Sequence, residues 1–301
     1  MNGILIIDKP AGLTSHDVVA RVRRVLKTKR VGHTGTLDPF ATGVLVLLVG
    51  NATRLARFLD KDAKEYEAGI KFGSETDTGD ITGIEKENSN LGISEIEEKL
   101  ANADWAALLA EFRGEIEQTP PMFSAKKVKG KKLYEFAREG IEIERKPVRV
   151  TIFDIDIDVA QSGQATDEAL LKVTCSAGTY IRTLGEDIGR KLGVGAHLIQ
   201  LRRLRAGRFD AASSISLDEF TALAEPASAL LPIEAAVEHL PSIVLSAERV
   251  AATRNGLGTA AAENSFPAGE PVRIMDEYSK LVAIGEYSPE ERSVRPTLVL
   301  A

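Results

Sequence analysis

Gly32-His33-Thr34-Gly35-Thr36-Leu37-Asp38-Pro39-Phe40-Ala41-Thr42-Gly43 is the stretch from which the rest of the chain is read. Glycine, threonine and proline make it a tight, backbone-rich loop. It lies between a basic amphipathic helix and a buried strand. Pro39 restricts Asp38 to extended backbone, which helps fix where the carboxylate points. A carboxylate anchored beside a sheet can act as nucleophile or general base. It can equally cap a turn, which is what most isolated Asp-Pro pairs do. No Gly-Lys-Ser/Thr follows, so the loop is not a phosphate-cradling one. His33 and Asp38 have no obvious third companion, so no metal is expected.

Working outward, Gly3 to Ile7 reads as a short buried strand and Lys9-Pro10-Ala11-Gly12 as a turn. Thr14 or Ser15 caps a helix with Asp17 in its first turn. Val18, Val19, Val22, Val25 and Leu26 share one face of that helix, which leaves the arginines on the other. After the loop come a buried strand (Val44 to Val49) and a helix to about Leu59. Lys64-Glu65-Tyr66 opens a half-buried strand ending at Phe72. Residues 74–90 read as an acidic loop and Ser94 to Leu109 as one helix. Thr119-Pro120-Pro121 breaks the chain before a lysine-rich loop or hairpin and a helix near Leu133–Glu139. Strands over Val148–Val159 and Leu170–Ser176 and a helix from about Tyr180 to Leu192 follow. This irregular alternation predicts an α+β fold with a mixed or antiparallel central sheet flanked by helices. A boundary near Glu238–Pro241 divides residues 1–238 from 239–301. The second part has short strand signals at Ser242–Leu245, Val272–Met275, Leu281–Tyr287 and Val294–Leu300, which predict a small β-barrel.

The bulk composition narrows the classes. At 301 residues, 44% hydrophobic and 27% charged, the chain is ordinary for a soluble globular protein of one and a half to two domains. Its single cysteine, Cys175, excludes an internal disulfide and a four-cysteine zinc site and reads as inert core. The N-terminus shows no basic leader, and the longest apolar run, Gly43 to Val49, is too short to span a bilayer. A cytoplasmic protein with no membrane association is expected. The net charge of −6 argues against nucleic acid, but its distribution does not. Residues 21–30 hold six basic side chains and no acid, 126–132 five lysines and 202–208 four arginines. Acid collects in 75–98 and 210–248. Segregation of this kind can place a basic face on an acidic protein, or leave three solvated surfaces that never meet.

Three further segments can carry chemistry. Tyr66 can stack on a flipped base and offer its hydroxyl. In Cys175 to Leu184 a strand ends, Gly178 turns, and a helix begins with Arg182 in its first turn. A cation there opposes the helix dipole, so Arg182 is a candidate partner for an anion, Asp38 or an RNA phosphate, or else a plain surface arginine. In Leu201-Arg202-Arg203-Leu204-Arg205-Ala206-Gly207-Arg208-Phe209, strand alternation suits a phosphate track.

Taken together these segments resemble one family, the TruB-type tRNA pseudouridine synthases. Gly32 to Gly43 is similar to its motif Gly-His-Thr-Gly-x-Leu-Asp-Pro-Leu-Ala-Thr-Gly, with Phe40 in place of the usual leucine. Lys9-Pro10-x-Gly12-x-Thr14-Ser15, Lys64-x-Tyr66, Thr76-Asp77-Thr78-x-Asp80, Thr119-Pro120-Pro121 with Ser124-Ala125-x-Lys127, Gly130 with Leu133-Tyr134, Ala137-Arg138-x-Gly140, Cys175 to Leu184 and Leu201-Arg202-Arg203 follow in family order. The resemblance covers residues 3 to about 209. The tail resembles the PUA domain, an RNA-binding β-barrel, only loosely.

The resemblance implies a pseudouridine synthase fold over 1–238, with a basic RNA-clasping insertion at about 124–146, and a PUA-like domain over 239–301. It implies isomerisation of uridine in the T-loop of tRNA, at position 55, by base flipping and without a cofactor. By this likeness Asp38 is the nucleophile, Tyr66 packs on the base and is a candidate proton acceptor, and Arg182 pairs with Asp38. His33 lies against the T-loop and Lys9 supports the active-site loop. Both are grouped with Thr36, Tyr180, Leu201, Arg202, Lys126, Lys127 and Arg138 as substrate-side or RNA-side residues. The expected partner is the tRNA T-arm, bound by a monomer with no obligate protein partner. Rival expectations are a non-catalytic tRNA-binding chaperone on the same fold, a metal-dependent hydrolase using His33, Asp38 and the acids of 75–80, and a synthase acting on other RNAs with a guide.

Overall fold

A computed structural model describes residues 1–86, 91–124, 126–128, 130–159, 167–262 and 265–300, the Lys127 side chain excepted. The chain runs through β1 (Gly3–Lys9), α1 (Ser15–Val25), β2 (Val31–His33), β3 (Thr42–Val49), a 3-10 segment Gly50–Phe58, β4 (Lys64–Phe72), α2 (Ile93–Ala101), α3 (Trp105–Ala110) and β5 (Gly114–Gln118). The hairpin β6 (Lys127–Val128) and β7 (Lys131–Lys132) leads into α4 (Leu133–Arg138). Then follow β8 (Val148–Asp158), β9 (Glu168–Cys175), α5 (Ile181–Leu192), β10 (Ala196–Ala206), β11 (Phe209–Asp210), β12 (Ile215–Ser216) and α6 (Leu217–Ala222).

One sheet organises the N-terminal part of the chain, in the order β12-β1-β3-β10-β4-β9-β8-β5, with β2 on β3 and β11 on β10. It is mixed: β1–β12 and β3–β10 are parallel, and its other pairs are antiparallel. β1 and β3 are buried along almost their whole length because both sheet faces are covered. On one face Leu5, Ile7, Leu45 and Leu47 pack with Val18, Val19 and Val22 of α1. On the other, Ile4, Ile6, Val44, Val46 and Leu48 meet Leu55 and the C-terminal residues Met275, Leu281, Ile284 and Leu298.

Those last residues belong to a second sheet built from β13 (Ser242–Val244), β14 (Thr259–Ala260), β15 (Pro271–Met275), β16 (Leu281–Ser288) and β17 (Ser293–Val299), with α7 (Ala247–Arg254) packed against it. Its order is β13-β15-β16-β17-β14. This half-barrel sheet is consistent with the expected PUA-like unit. It has a small core of its own around Leu245, Val272, Ile274 and Tyr287. It also completes the burial of β1 and β3, so the tail is part of the packing of the first sheet.

Local expectations needed adjustment at several points. The helix after β3 is a 3-10 segment. The helix expected over Ser94–Leu109 is broken: α2 ends at Ala101, and Asp104 starts α3 by accepting the Ala107 N–H. The start of the loop, read as irregular, is strand β2 paired with β3. Thr14 rather than Ser15 is the N-cap, in a reciprocal capping box with Asp17.

Gly43 closes the signature loop where β3 meets β10. Its φ is +100°, and a methyl group there would overlap the backbone carbonyl of Arg203. Both facts demand glycine. Gly43→Ala should cost about 2–4 kcal/mol of stability, combining left-handed backbone with overpacking; an unchanged midpoint in urea would refute that close approach.

Candidate active site

The loop that carries Asp38 is held from beneath by side chains of β1 and α1. Ser15, 1% exposed, clamps Leu37 twice: its hydroxyl accepts the Leu37 N–H (2.9 Å) and faces the Leu37 carbonyl (3.2 Å). The fully buried Lys9 ammonium donates to the carbonyls of Pro10 (2.9 Å), Leu13 (2.7 Å) and Pro39 (3.3 Å). Burial pulls the Lys9 pKa down to about 8, partly offset by Asp38 nearby. Leu37 and Pro39 are thus tied on either side of Asp38, and the carboxylate projects from a braced backbone.

Arg182 meets it. Its Nε lies 2.9 Å from Asp38 Oδ2, and Nη1 lies 3.4 Å from Asp80 Oδ2. Nη1 also donates to the Thr78 carbonyl, and Nη2 to the Phe123 carbonyl at 2.7 Å. One guanidinium, 4% exposed, therefore joins the signature loop, the 76–85 turn, the entry to the lysine-rich segment and α5. This planar fan of donors is what arginine offers and lysine does not. The Asp38 side chain remains 34% exposed, so the carboxylate can be reached from the pocket. Burial pushes its pKa above the ordinary carboxylate range; Arg182 pulls it back, and Asp80 adds to the rise.

The pocket in front of Asp38, about 220 Å³, is lined by Thr36, Tyr66, Ser124, Tyr180, Arg182 and Leu201 among others. β10 is the organiser: Arg203 is registered opposite Tyr66 on β4 and Gly43 on β3. Buried at 2% exposure, Arg203 donates to the carbonyls of Val44 (2.7 Å) and Gly35 (3.2 Å). Its positive charge lies near the Tyr66 hydroxyl and favours the ionised form of that group. Burial raises the Tyr66 pKa, so the residue is a neutral phenol suited to stacking; as a base it would first have to pass its own proton on. Tyr180 is set by Gln118, which accepts its N–H at 3.0 Å.

Several expected RNA-side residues need correction. Lys9 is wholly interior and cannot touch RNA; it acts through the loop. The 202–208 arginines do not form an open phosphate track. Arg202 is paired at both amino nitrogens with Asp8 (3.0 and 2.7 Å), Arg205 with Glu65 and Arg208 with Glu238, while Arg203 is buried. Alternation along β10 did not reveal that carboxylates on neighbouring elements would claim these groups. His33 accepts the Gly35 N–H at Nδ1 and packs edge-on to His16; burial, then His16, lowers its pKa to about 4, so it is neutral. Thr36 is exposed at the pocket rim and Leu201 is a buried wall. Lys126 reaches the pocket; the Lys127 side chain lies outside the described residues. Arg138 and Lys132 each stand over the Tyr134 ring, 5.3 Å from its centroid, which makes the insertion a cationic surface with an aromatic centre. Cys175 is fully buried core, its thiol pushed up to about 11.

Asp80, Ser15 and Arg203 carry roles that the sequence left unassigned. Asp80 stood in the Thr76-Asp77-Thr78-x-Asp80 motif, and its nearness to Arg182 exists only after folding. Among the described residues, no group of three or more His, Cys, Asp or Glu is placed to hold a metal ion.

A braced, arginine-paired carboxylate at a tyrosine-walled pocket, beside a cationic insertion, is the site of an enzyme working by nucleophilic or acid–base chemistry at a carboxylate. Comparison with known proteins gives the particular family. Residues 23–181 match the TruB family pseudouridylate synthase N-terminal domain, and residues 182–238 the tRNA pseudouridylate synthase B C-terminal domain. The chain is 43% identical over 262 residues to the tRNA pseudouridine synthase B of Geobacillus thermodenitrificans, covering 85% of each chain. It is 39% identical to that of Bacillus subtilis, covering 100% of this chain and 98% of the other. Among solved structures it superposes on a chain of a Cbf5-Nop10-Gar1 complex with a TM-score of 0.70 and 28% identity, covering 99% of this chain and 85% of that one. The chain belongs to the TruB family of pseudouridylate synthases.

Proposed function

We propose that this protein converts one uridine in the T-loop of tRNA, at position 55, to pseudouridine, with Asp38 as nucleophile or proton acceptor. The observation that carries this reading is the 2.9 Å Arg182–Asp38 pair at the mouth of a pocket walled by Tyr66. The relatives' name, tRNA pseudouridine synthase B, supports the substrate class.

The reaction follows from the geometry. Uridine must leave the loop stack before its C1′–N1 bond can be reached, which costs a few kcal/mol. Stacking on Tyr66 returns about 1–3 kcal/mol. Asp38 then attacks C1′ directly, or removes the proton whose loss yields a glycal. In either case the C1′–N1 bond breaks, the uracil turns, a C1′–C5 bond forms, C5 gives up its proton and N1 gains one. Nothing is oxidised and no group leaves, so the atoms balance without a co-reactant. Arg182 favours the charged form of Asp38 throughout.

The basic insertion around Lys126, Lys132 and Arg138 supports T-arm binding through the phosphates. Asp38, Tyr66 and Arg182 come from one chain, which fits action as a monomer; light scattering of the tRNA complex tests the stoichiometry. The decisive experiment is chemical derivatisation and mass mapping of pseudouridine in a tRNA transcript incubated with the purified protein. A single modified T-loop uridine is expected. Modification elsewhere would overturn the position, and binding without modification would favour a chaperone.

A further inference from the structure

Ser124 stands at the foot of the lysine-rich insertion and lines the same pocket as Asp38 and Tyr66. It is 5% exposed, and its hydroxyl has no hydrogen-bond partner among the described residues. Its place is fixed by the backbone on both sides. Its N–H donates to the Met122 carbonyl (3.0 Å), its carbonyl accepts the Tyr134 N–H (3.1 Å), and the preceding Phe123 carbonyl is held by Arg182 at 2.7 Å. The backbone that carries the hydroxyl is therefore fixed, and because its oxygen exposes less than 1 Å² in the free protein, it meets an incoming group by turning about χ1.

Several of the polar groups around it are engaged. Arg182 and Arg203 are bound to carboxylates and carbonyls, and the Lys64 ammonium is held by the carbonyls of Asp60 and Asp62. Burial raises the Tyr180 phenol and Ser124 nearby draws it partly back, yet the two hydroxyls do not meet in hydrogen-bond geometry. A buried hydroxyl without a partner is destabilising and uncommon in native proteins. Where it lines a pocket, the missing partner is supplied by what enters.

We infer that the Ser124 hydroxyl donates a hydrogen bond to a ring carbonyl of the extruded uracil, and so helps orient the base for rotation between N1 and C5. This rests on the uridine-isomerase reading above. A phosphate is the poorer occupant at this hydroxyl: the Arg182 guanidinium is already shared by Asp38 and Asp80, and the ionised Asp38 carboxylate beside it repels an anion. A neutral pyrimidine carries no such penalty.

The test uses the full-length protein and a T-arm RNA stem-loop. Ser124→Ala should lower the single-turnover isomerisation rate about ten- to a hundredfold. The melting temperature of the free protein should hold or rise, because the variant deletes an unsatisfied buried group. Replacing the target uridine by 2-thiouridine or 4-thiouridine weakens one carbonyl acceptor at a time. One of the two should slow the wild-type enzyme and leave Ser124→Ala no slower than with uridine, the non-additivity expected of a direct contact. A variant with the wild-type rate, a lowered melting temperature, or penalties that simply multiply for both thio-substrates would overturn the inference. Failure of the wild-type protein to convert any uridine would instead bring down the isomerase reading itself.

Discussion

Asp38→Asn should lower isomerisation by roughly 10⁴-fold or more, the scale seen when a nucleophile is removed, while tRNA affinity holds and stability at neutral pH holds or rises. The amide preserves the shape of the side chain and most of its packing, and Arg182 keeps Asp80 and two backbone carbonyls as partners. Only the negative charge at C1′ is lost. Equal loss of binding and turnover, measured by filter binding and single-turnover assays, would make Asp38 a structural residue. The pH dependence follows from the same group. Burial is the largest influence on the Asp38 carboxyl and raises it above its ordinary value of 3.8, Arg182 lowers it, and Asp80 raises it again. Catalysis requires the ionised form, so kcat/KM should rise with pH through an acid limb centred above 3.8. Stability runs the other way. A raised folded-state pKa contributes stability that is complete below the unfolded value and is lost as pH rises through the folded one. Asp38→Asn should therefore remove both slopes in that window. An acid limb at or below the ordinary carboxylate value would contradict the buried setting.

Arg182→Met carries the second large effect, and unlike the first it should unsettle the fold. Removing the guanidinium leaves Asp38 and Asp80 facing each other with no cation between them. Breaking a buried pair from one side costs about 3–5 kcal/mol, and the partial exposure of Asp38 favours the lower end, about 3 kcal/mol. Arg182 also anchors the Phe123 carbonyl, so the insertion loses its tie to the site. Arg182→Lys separates charge from geometry. It restores a cation but cannot span two carboxylates and two carbonyls, so stability should largely recover while the rate stays down by roughly 10²-fold, the cost of small misplacement at a reacting centre. The acid limb in Arg182→Met should move to higher pH, because the group that favours the Asp38 anion is gone. Full activity in Arg182→Lys would show that charge alone suffices.

Both effects centre on a pair whose halves lie far apart in the chain. Asp38 was legible from its own neighbours, because loop chemistry and Pro39 act locally. Arg182 was legible as a cation oddly placed at a helix start. That the two meet, and that Asp80 completes the set, comes from β3, β4 and β10 lying side by side. The arginines after Leu201 show the opposite outcome. Their spacing suggested a row of phosphate contacts, yet Asp8, Glu65 and Glu238 take three of them and the interior takes Arg203. Partner choice among charged side chains depends on elements that sequence spacing does not relate. Lys9 is the same lesson inside the core: its place in the motif implied support of the loop, and only the fold shows how, by burial against three carbonyls.

The amino-acid order alone determined the signature loop, the basic face of α1, the mixed α+β class and the family, because these rest on local dihedral preference, hydrophobic period and motif identity. Tertiary structure alone decided which cation meets which carboxylate, that the C-terminal sheet seals the back of β1 and β3, and that one hydroxyl at the insertion's base has no partner. These depend on distances across the sheet, where desolvation and hydrogen-bond geometry, rather than spacing along the chain, choose the contacts.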